Sequence, residues 1–228
     1  DAGQHKLKRK ELGAGRANEI KNACAVAGFE YEIMDNHDGC LESTITNRDN
    51  LIRIIRKFKP DIIFTHRTND YHTDHRHTAT LMQDASYMIM VPSVCPDTPV
   101  LTYSPIIMYV EDSFKKPTPF EPFVVIDIDE AIETKMKILD CHKSQFYEWL
   151  PWVGRYENEV PANDDEKLKW LLSSTGAENH KTANKFRNKL IEHYGSQKGN
   201  LVKYAEAFEL SEYGGELAKE EIPIYFPF

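Results

Sequence analysis

Apolar positions near the start of the chain recur with two different periods. Over residues 16–28, Ile20, Ala23, Cys24 and Ala27 fall at i, i+3, i+4 and i+7, and Gly28 stands where a helix usually stops, so the pattern predicts a helix. Residues 29–34 read as a strand, closed by the turn-rich Asp35-Asn36-His37-Asp38-Gly39. Thr46-x-x-Asp49 has the form of an N-terminal cap. It introduces a second helix with Leu51, Ile52, Ile54, Ile55 and Phe58 in one stripe and Arg53, Arg56 and Lys57 mostly off it. Pro60 ends that helix. Residues 61–65 then form a short apolar run of the kind that buried parallel strands have. Helix, strand, helix, strand at this spacing predicts βαβ crossovers and an α/β fold: a Rossmann-like, mostly parallel sheet with helices on both faces.

Further along, residues 75–91 read as helix up to Pro92, and 92–105, with Pro92, Pro96, Pro99 and Pro105, as loop. Strands are expected at 106–110 and 123–126. A long helix follows from 129 to about 145, with Ile132, Met136 and Leu139 inward. The tail from 146 is an irregular, helical region that holds Trp149, Trp152 and Trp170. Helical stretches are expected there near 164–172 and 182–193. No linker or repeat interrupts the chain, which reads as a single domain over 1–228.

Composition narrows the function. The chain has 28 Lys+Arg against 36 Asp+Glu, a formal charge of −8, which argues against a nucleic-acid partner because phosphate calls for a basic face. No apolar run approaches the length of a membrane span. The four cysteines (Cys24, Cys40, Cys95, Cys141) include no C-x-x-C pair, which removes a ribbon-type zinc site.

Candidate chemistry concentrates in one loop. Four of the nine histidines, His66, His72, His75 and His77, lie within twelve residues, directly after the strand 61–65 and among Arg67, Asn69, Asp70, Tyr71, Asp74 and Arg76. The carboxyl ends of strands are where open α/β sheets bind ligands. Within it, His72-Thr73-Asp74-His75 places two imidazoles at a loop-to-helix junction. One can ligate a divalent metal while the other meets a substrate, and Asp74 can fix an imidazole tautomer. A solvated loop rich in histidine by accident satisfies the same pattern.

The string from Pro60 to Arg76 resembles the second signature of the LmbE/PIG-L family, zinc-dependent sugar de-N-acetylases, in which an apolar strand leads into H-P-D-H and a helix. Thr73 stands here in the place of the proline. Three other stretches agree in order. They are Arg16-x-x-Glu19 before an alanine-rich helix, Asp127-Ile128-Asp129 followed by His142-Lys143-Ser144-Gln145, and Tyr204-Ala205-Glu206-Ala207-Phe208. The family's first signature, A-H-P-D-D, does not occur, and Asp1-Ala2-Gly3 resembles the segment after the family's second strand. The resemblance therefore implies that an N-terminal strand-helix segment precedes this chain and carries the general base and the remaining metal ligands.

What the resemblance implies for this chain is hydrolysis of an acetyl amide on an N-acetylglucosamine-type sugar by water activated on zinc or another divalent metal. It implies His75 as a metal ligand, His72 as the group that stabilises the tetrahedral intermediate, as imidazolium, and Asp74 as the residue that orients one of them. Asp38, Arg16, Arg67, Asp70 and Gln145 are the candidate substrate contacts. The plainer readings of these are a turn residue for Asp38, a surface cation for Arg16 and a cap for Gln145. An inactive carbohydrate-binding relative, or a metal hydrolase of another amide, remains an alternative. The expected partner is a small N-acetylated sugar. The apolar C-terminal end is compatible with a homo-oligomer contact, and the expected compartment is the cytoplasm.

Overall fold

The computed structural model describes residues 2–226 and 228 and gives an α/β protein. Helix α1 (Arg9–Ala27) ends at Gly28, whose φ of 74° lets its N–H reach back to the Cys24 carbonyl. Helix α2 (Ile45–Phe58) starts on Thr44, whose hydroxyl accepts from the Asn47 N–H. Strand β1 (Ile62–Thr65), helix α3 (Thr73–Met88), strand β2 (Ile106–Val110) and strand β3 (Val124–Asp127) follow. Then come helix α4 (Ile132–Asp140), a π-helix (Ser144–Trp149) and helix α5 (Leu150–Gly154). Helix α6 (Asp164–Lys185), helix α7 (Arg187–Gly199, broken at Gly195), strand β4 (Ala205–Leu210) and the short helix α8 (Ile222–Tyr225) complete the order. Among the described residues no helix is long and apolar enough to cross a membrane.

The sheet has the order β1-β2-β4-β3. β1 and β2 run parallel, with Ile62 opposite Ile106 and Thr65 opposite Tyr109. β4 joins β2 antiparallel, so the sheet is mixed. The long crossover through α3 makes the parallel pairing, as the sequence pattern requires. β4 is absent from the sequence reading because Glu206 and Glu209 interrupt its apolar run.

The chain forms two compact units. One comprises residues up to Asp38, Asp127–Arg187 and Asn200–Ala205; the other comprises Gly39–Ile126, Asn188–Gly199 and Glu206–Phe228. In the first, α1 packs on α4 and α4 on α6, burying Leu12, Ala23, Cys24, Met136 and Leu171. In the second, alternate residues of β2 face opposite ways. Ile107 joins Ile52, Ile55, Met82, Ala85 and Ile89 from α2 and α3, whereas Ile106 and Met108 join Val124, Phe208, Leu217 and Ile222.

Three expectations change. Residues 29–34 form no strand: Phe29, Tyr31 and Ile33 alternate as a strand would but stay 46–56% exposed, and among the described residues no strand pairs with them. The long helix breaks after α4 and resumes as the π-helix. Arg56, expected off the apolar stripe of α2, is 1% exposed. Its guanidinium donates to the carbonyls of Met88, Ile89, Val91, Val94, Cys95 and Thr98. Those carbonyls come from the end of α3 and a stretch with prolines at 92, 96 and 99, where local N–H donors are scarce. A charge-assisted fork supplies further donors from one side chain.

Candidate functional site

β1 leads directly into His66, and six residues later His72 caps α3. The His72 Nδ1 accepts from the Asp74 N–H at 3.2 Å and so caps the helix. An accepting Nδ1 leaves Nε2 as the ring nitrogen that carries the proton.

His75, one turn further on, presents its Nδ1 to Asp70 Oδ1 at 3.0 Å. The same oxygen accepts the His72 N–H at 2.9 Å. The His66 ring lies over the His75 ring, with centroids 4.0 Å apart and planes 1° from parallel. Tyr71 packs edge-on to His72 and His75. His66, Asp70 and His75 each offer one ligand atom, and these lie within 4.8 Å of one another.

The electrostatics suit a cation. Burial, and then the neighbouring His75, push His66 below the usual histidine range, so its lone pairs stay available. Burial opposes the charge on Asp70, but the His72 N–H and the His75 ring outweigh it and hold the carboxyl below its ordinary range. Two imidazoles and a carboxylate are residue types that bind zinc.

The residues predicted from sequence divide accordingly. Asp74, expected to orient an imidazole, accepts from the Gly39 N–H at 2.7 Å and the Leu41 N–H at 3.2 Å, pinning the chain before α2. Asp70, expected to meet substrate, takes the orienting position. Arg67, also expected to line the pocket, is 4% exposed and bound to Asp112 through both Nε and Nη2. His77 turns to the Ser43 hydroxyl at 2.8 Å, outside the cluster. His66 is the residue the sequence reading left without a role; the signal that finds it is its place directly after a parallel strand.

The first unit gathers the other three candidates. Arg16 on α1 donates to Gln145 Oε1 at 2.6 Å and to the Gly3 carbonyl at 2.7 Å, and lies 3.4 Å from Asp38 Oδ2. Burial works against the Asp38 charge, yet the Gly3 and Ala2 N–H groups, with Arg16, keep its carboxyl below the usual range. Glu19, one turn after Arg16, accepts from both the N–H and the hydroxyl of Ser144 at 2.8 Å, fastening the π-helix that carries Gln145. Asp129 accepts from the Lys203 and Tyr204 N–H groups.

Comparison with known proteins agrees with this architecture. The N,N'-diacetylchitobiose deacetylase of Pyrococcus horikoshii, solved with its inhibitor MPG, superposes with a TM-score of 0.65 at 20% identity, over 100% of this chain and 72% of that one. The 4-carboxy-2-hydroxymuconate hydratase GalB of Pseudomonas putida gives 0.68 at 16% identity, over 95% of this chain and 78% of its own. A conserved protein of Thermus thermophilus, TT1542, gives 0.59 at 18%, over 94% and 82%. At these identities the likeness establishes a shared fold, and a deacetylase and a hydratase on one fold show that the site decides the reaction. Residues 1–86, which contain α1, α2, β1 and the histidine loop, match the family described as PIG-L: GlcNAc-PI de-N-acetylase. The match covers this part of the chain, and what it shows is a likeness to that family.

Proposed function

We propose that the protein is a metal-dependent hydrolase that removes the acetyl group from an N-acetylglucosamine-type sugar or sugar conjugate. The observation that carries this reading is the His66–Asp70–His75 cluster at the carboxyl end of β1, with its orienting Asp70–His75 hydrogen bond. His75 would hold the cation, with His66 as the further donor from this chain and Asp70 behind the His75 ring. Bound zinc supplies a water of pKa about 7 and polarises a carbonyl oxygen. Asp70 fixes the His75 ring by taking its Nδ1 proton in a hydrogen bond, which leaves Nε2 as the donor atom. His72, with Nδ1 occupied by the helix cap, directs an Nε2–H that can bond the oxyanion of the tetrahedral intermediate. Within the first unit, Arg16, Asp38 and Gln145 group a guanidinium, a carboxylate and an amide, the kinds of group that suit sugar hydroxyls.

The test is acetate release from a panel of N-acetylated sugars and from unrelated N-acetyl amides. Release confined to the sugars, abolished by chelator and restored by zinc, is the expected result. Sugar binding without acetate release would instead favour an inactive carbohydrate-binding relative. Release from the other amides alone would favour a hydrolase of a different substrate.

A further inference from the structure

We infer that Arg67 is a positioning residue, whose buried ion pair with Asp112 locks the loop after β2 onto the histidine loop and so sets the place of His66 against His75. This rests on the reading of His66, Asp70 and His75 as a metal cluster. β1 and β2 are parallel, with Thr65 opposite Tyr109, so the loops that follow them leave the same edge of the sheet. Arg67 is the second residue past β1 and Asp112 the second past β2.

The guanidinium donates through Nε to Asp112 Oδ2 at 2.7 Å and through Nη2 to Oδ1 at 2.6 Å. It also donates to the carbonyls of Phe114 at 3.0 Å and Thr118 at 3.1 Å. Glu209 on β4 stands 3.8 Å away, and the Phe120 ring lies 5.8 Å beneath. Asp112 in turn accepts the Phe114 N–H at 2.9 Å. A second tie repeats the connection two residues on, where the Asn69 side chain donates to the Lys116 carbonyl at 3.1 Å.

The chemistry explains why this belongs to the site and not only to the core. A buried ion pair is a poor source of net stability, because desolvation offsets its attraction, but its bidentate fork fixes geometry. Arg67 is bonded directly to His66, and the fork therefore fixes the backbone from which the His66 ring projects. The ring's overlap with His75 at 4.0 Å depends on that backbone. Partners that orient metal ligands typically govern metal affinity by about 10- to 100-fold.

The experiment compares cobalt(II) and zinc affinity, by chelator competition, in the parent protein, in Asp112→Asn and in Leu101→Ala. Asp112→Asn keeps the shape but weakens the fork. Leu101→Ala is a core change away from the fork that controls for lost stability. The inference predicts a rise in metal Kd of about tenfold or more and an altered cobalt absorption spectrum for Asp112→Asn, with neither in Leu101→Ala at equal or greater loss of Tm. Should Asp112→Asn fail to fold, Arg67→Lys, which keeps the charge but not the fork, takes its place with the same expectation. Metal affinity and spectrum unchanged in a folded fork variant would overturn the inference and leave the metal cluster intact. A parent protein that binds neither metal would overturn both.

Discussion

Two arginines are buried in the same unit, and they serve different ends. Arg56, 1% exposed, has only main-chain carbonyls around its guanidinium, six of them between Met88 and Thr98. Arg67, 4% exposed, binds a carboxylate in a fork, with a second carboxylate nearby. The first ties a proline-rich loop together through its carbonyls, so its effect is on folding. The second lies beside the histidine cluster, so its effect is on geometry. Burial alone does not tell a structural cation from a positioning one; the partners do.

The largest effect should come from Arg56→Met. Six carbonyls would each lose the charged donor, four of them keeping a main-chain N–H, and a loss of about 3–5 kcal/mol in urea unfolding is expected. Metal affinity in the fraction that folds should stay unchanged; a rise in metal Kd there would blur the distinction between the two arginines. Asp70→Asn should do the reverse. It keeps the shape beside His75 but removes the charged acceptor, so metal affinity should fall by about 10- to 100-fold while Tm moves little. Isothermal titration with zinc checks the first quantity and calorimetry the second.

A pH experiment on the metal-free protein separates fold from site further, through a histidine in neither arginine's network. Burial depresses His193 on α7, while Glu192 opposes the shift, and its Nε2 lies buried with no hydrogen-bond partner. A histidine depressed by folding is protonated more readily in the unfolded chain. Its contribution is therefore present above the ordinary value of 6.5 and is lost as pH falls through the lower folded value. Stability measured from pH 8 to 5 should decline, and His193→Gln should flatten that decline. An unchanged slope would place the sensitive group elsewhere. The smallest effect is expected for Asn69→Ala, which removes one exposed hydrogen bond to Lys116 and should cost about 0.5–1 kcal/mol or less. A loss of metal affinity as large as that of Asp112→Asn would mean that the second tie, and not the fork, sets the loop.

The sequence made some of this legible and hid the rest for physical reasons. The stripe of α2 and the apolar run of β1 announce a βαβ crossover because both follow from local periodicity. The histidine loop was visible by density alone. Asp70 and Asp74 were indistinguishable as orienting groups, since either lies within reach of an imidazole; the direction in which α3 leaves the loop turns Asp74 toward Gly39 and Leu41 and Asp70 toward His75. Arg56 looked like a surface cation because its acceptors lie 32 to 42 residues away. Arg67 looked like a ligand for substrate for the same reason, its carboxylate being 45 residues distant. Residues 29–34 carry strand periodicity, but periodicity records which faces differ, not whether a neighbouring strand is there to pair.

The most direct test is metal stoichiometry by elemental analysis after zinc loading and desalting, in the parent protein, in His75→Ala and in His77→Ala. One zinc per chain in the parent and in His77→Ala, and none retained in His75→Ala, is the expected outcome. Equal zinc content in all three would contradict the assignment of the cluster as a cation site.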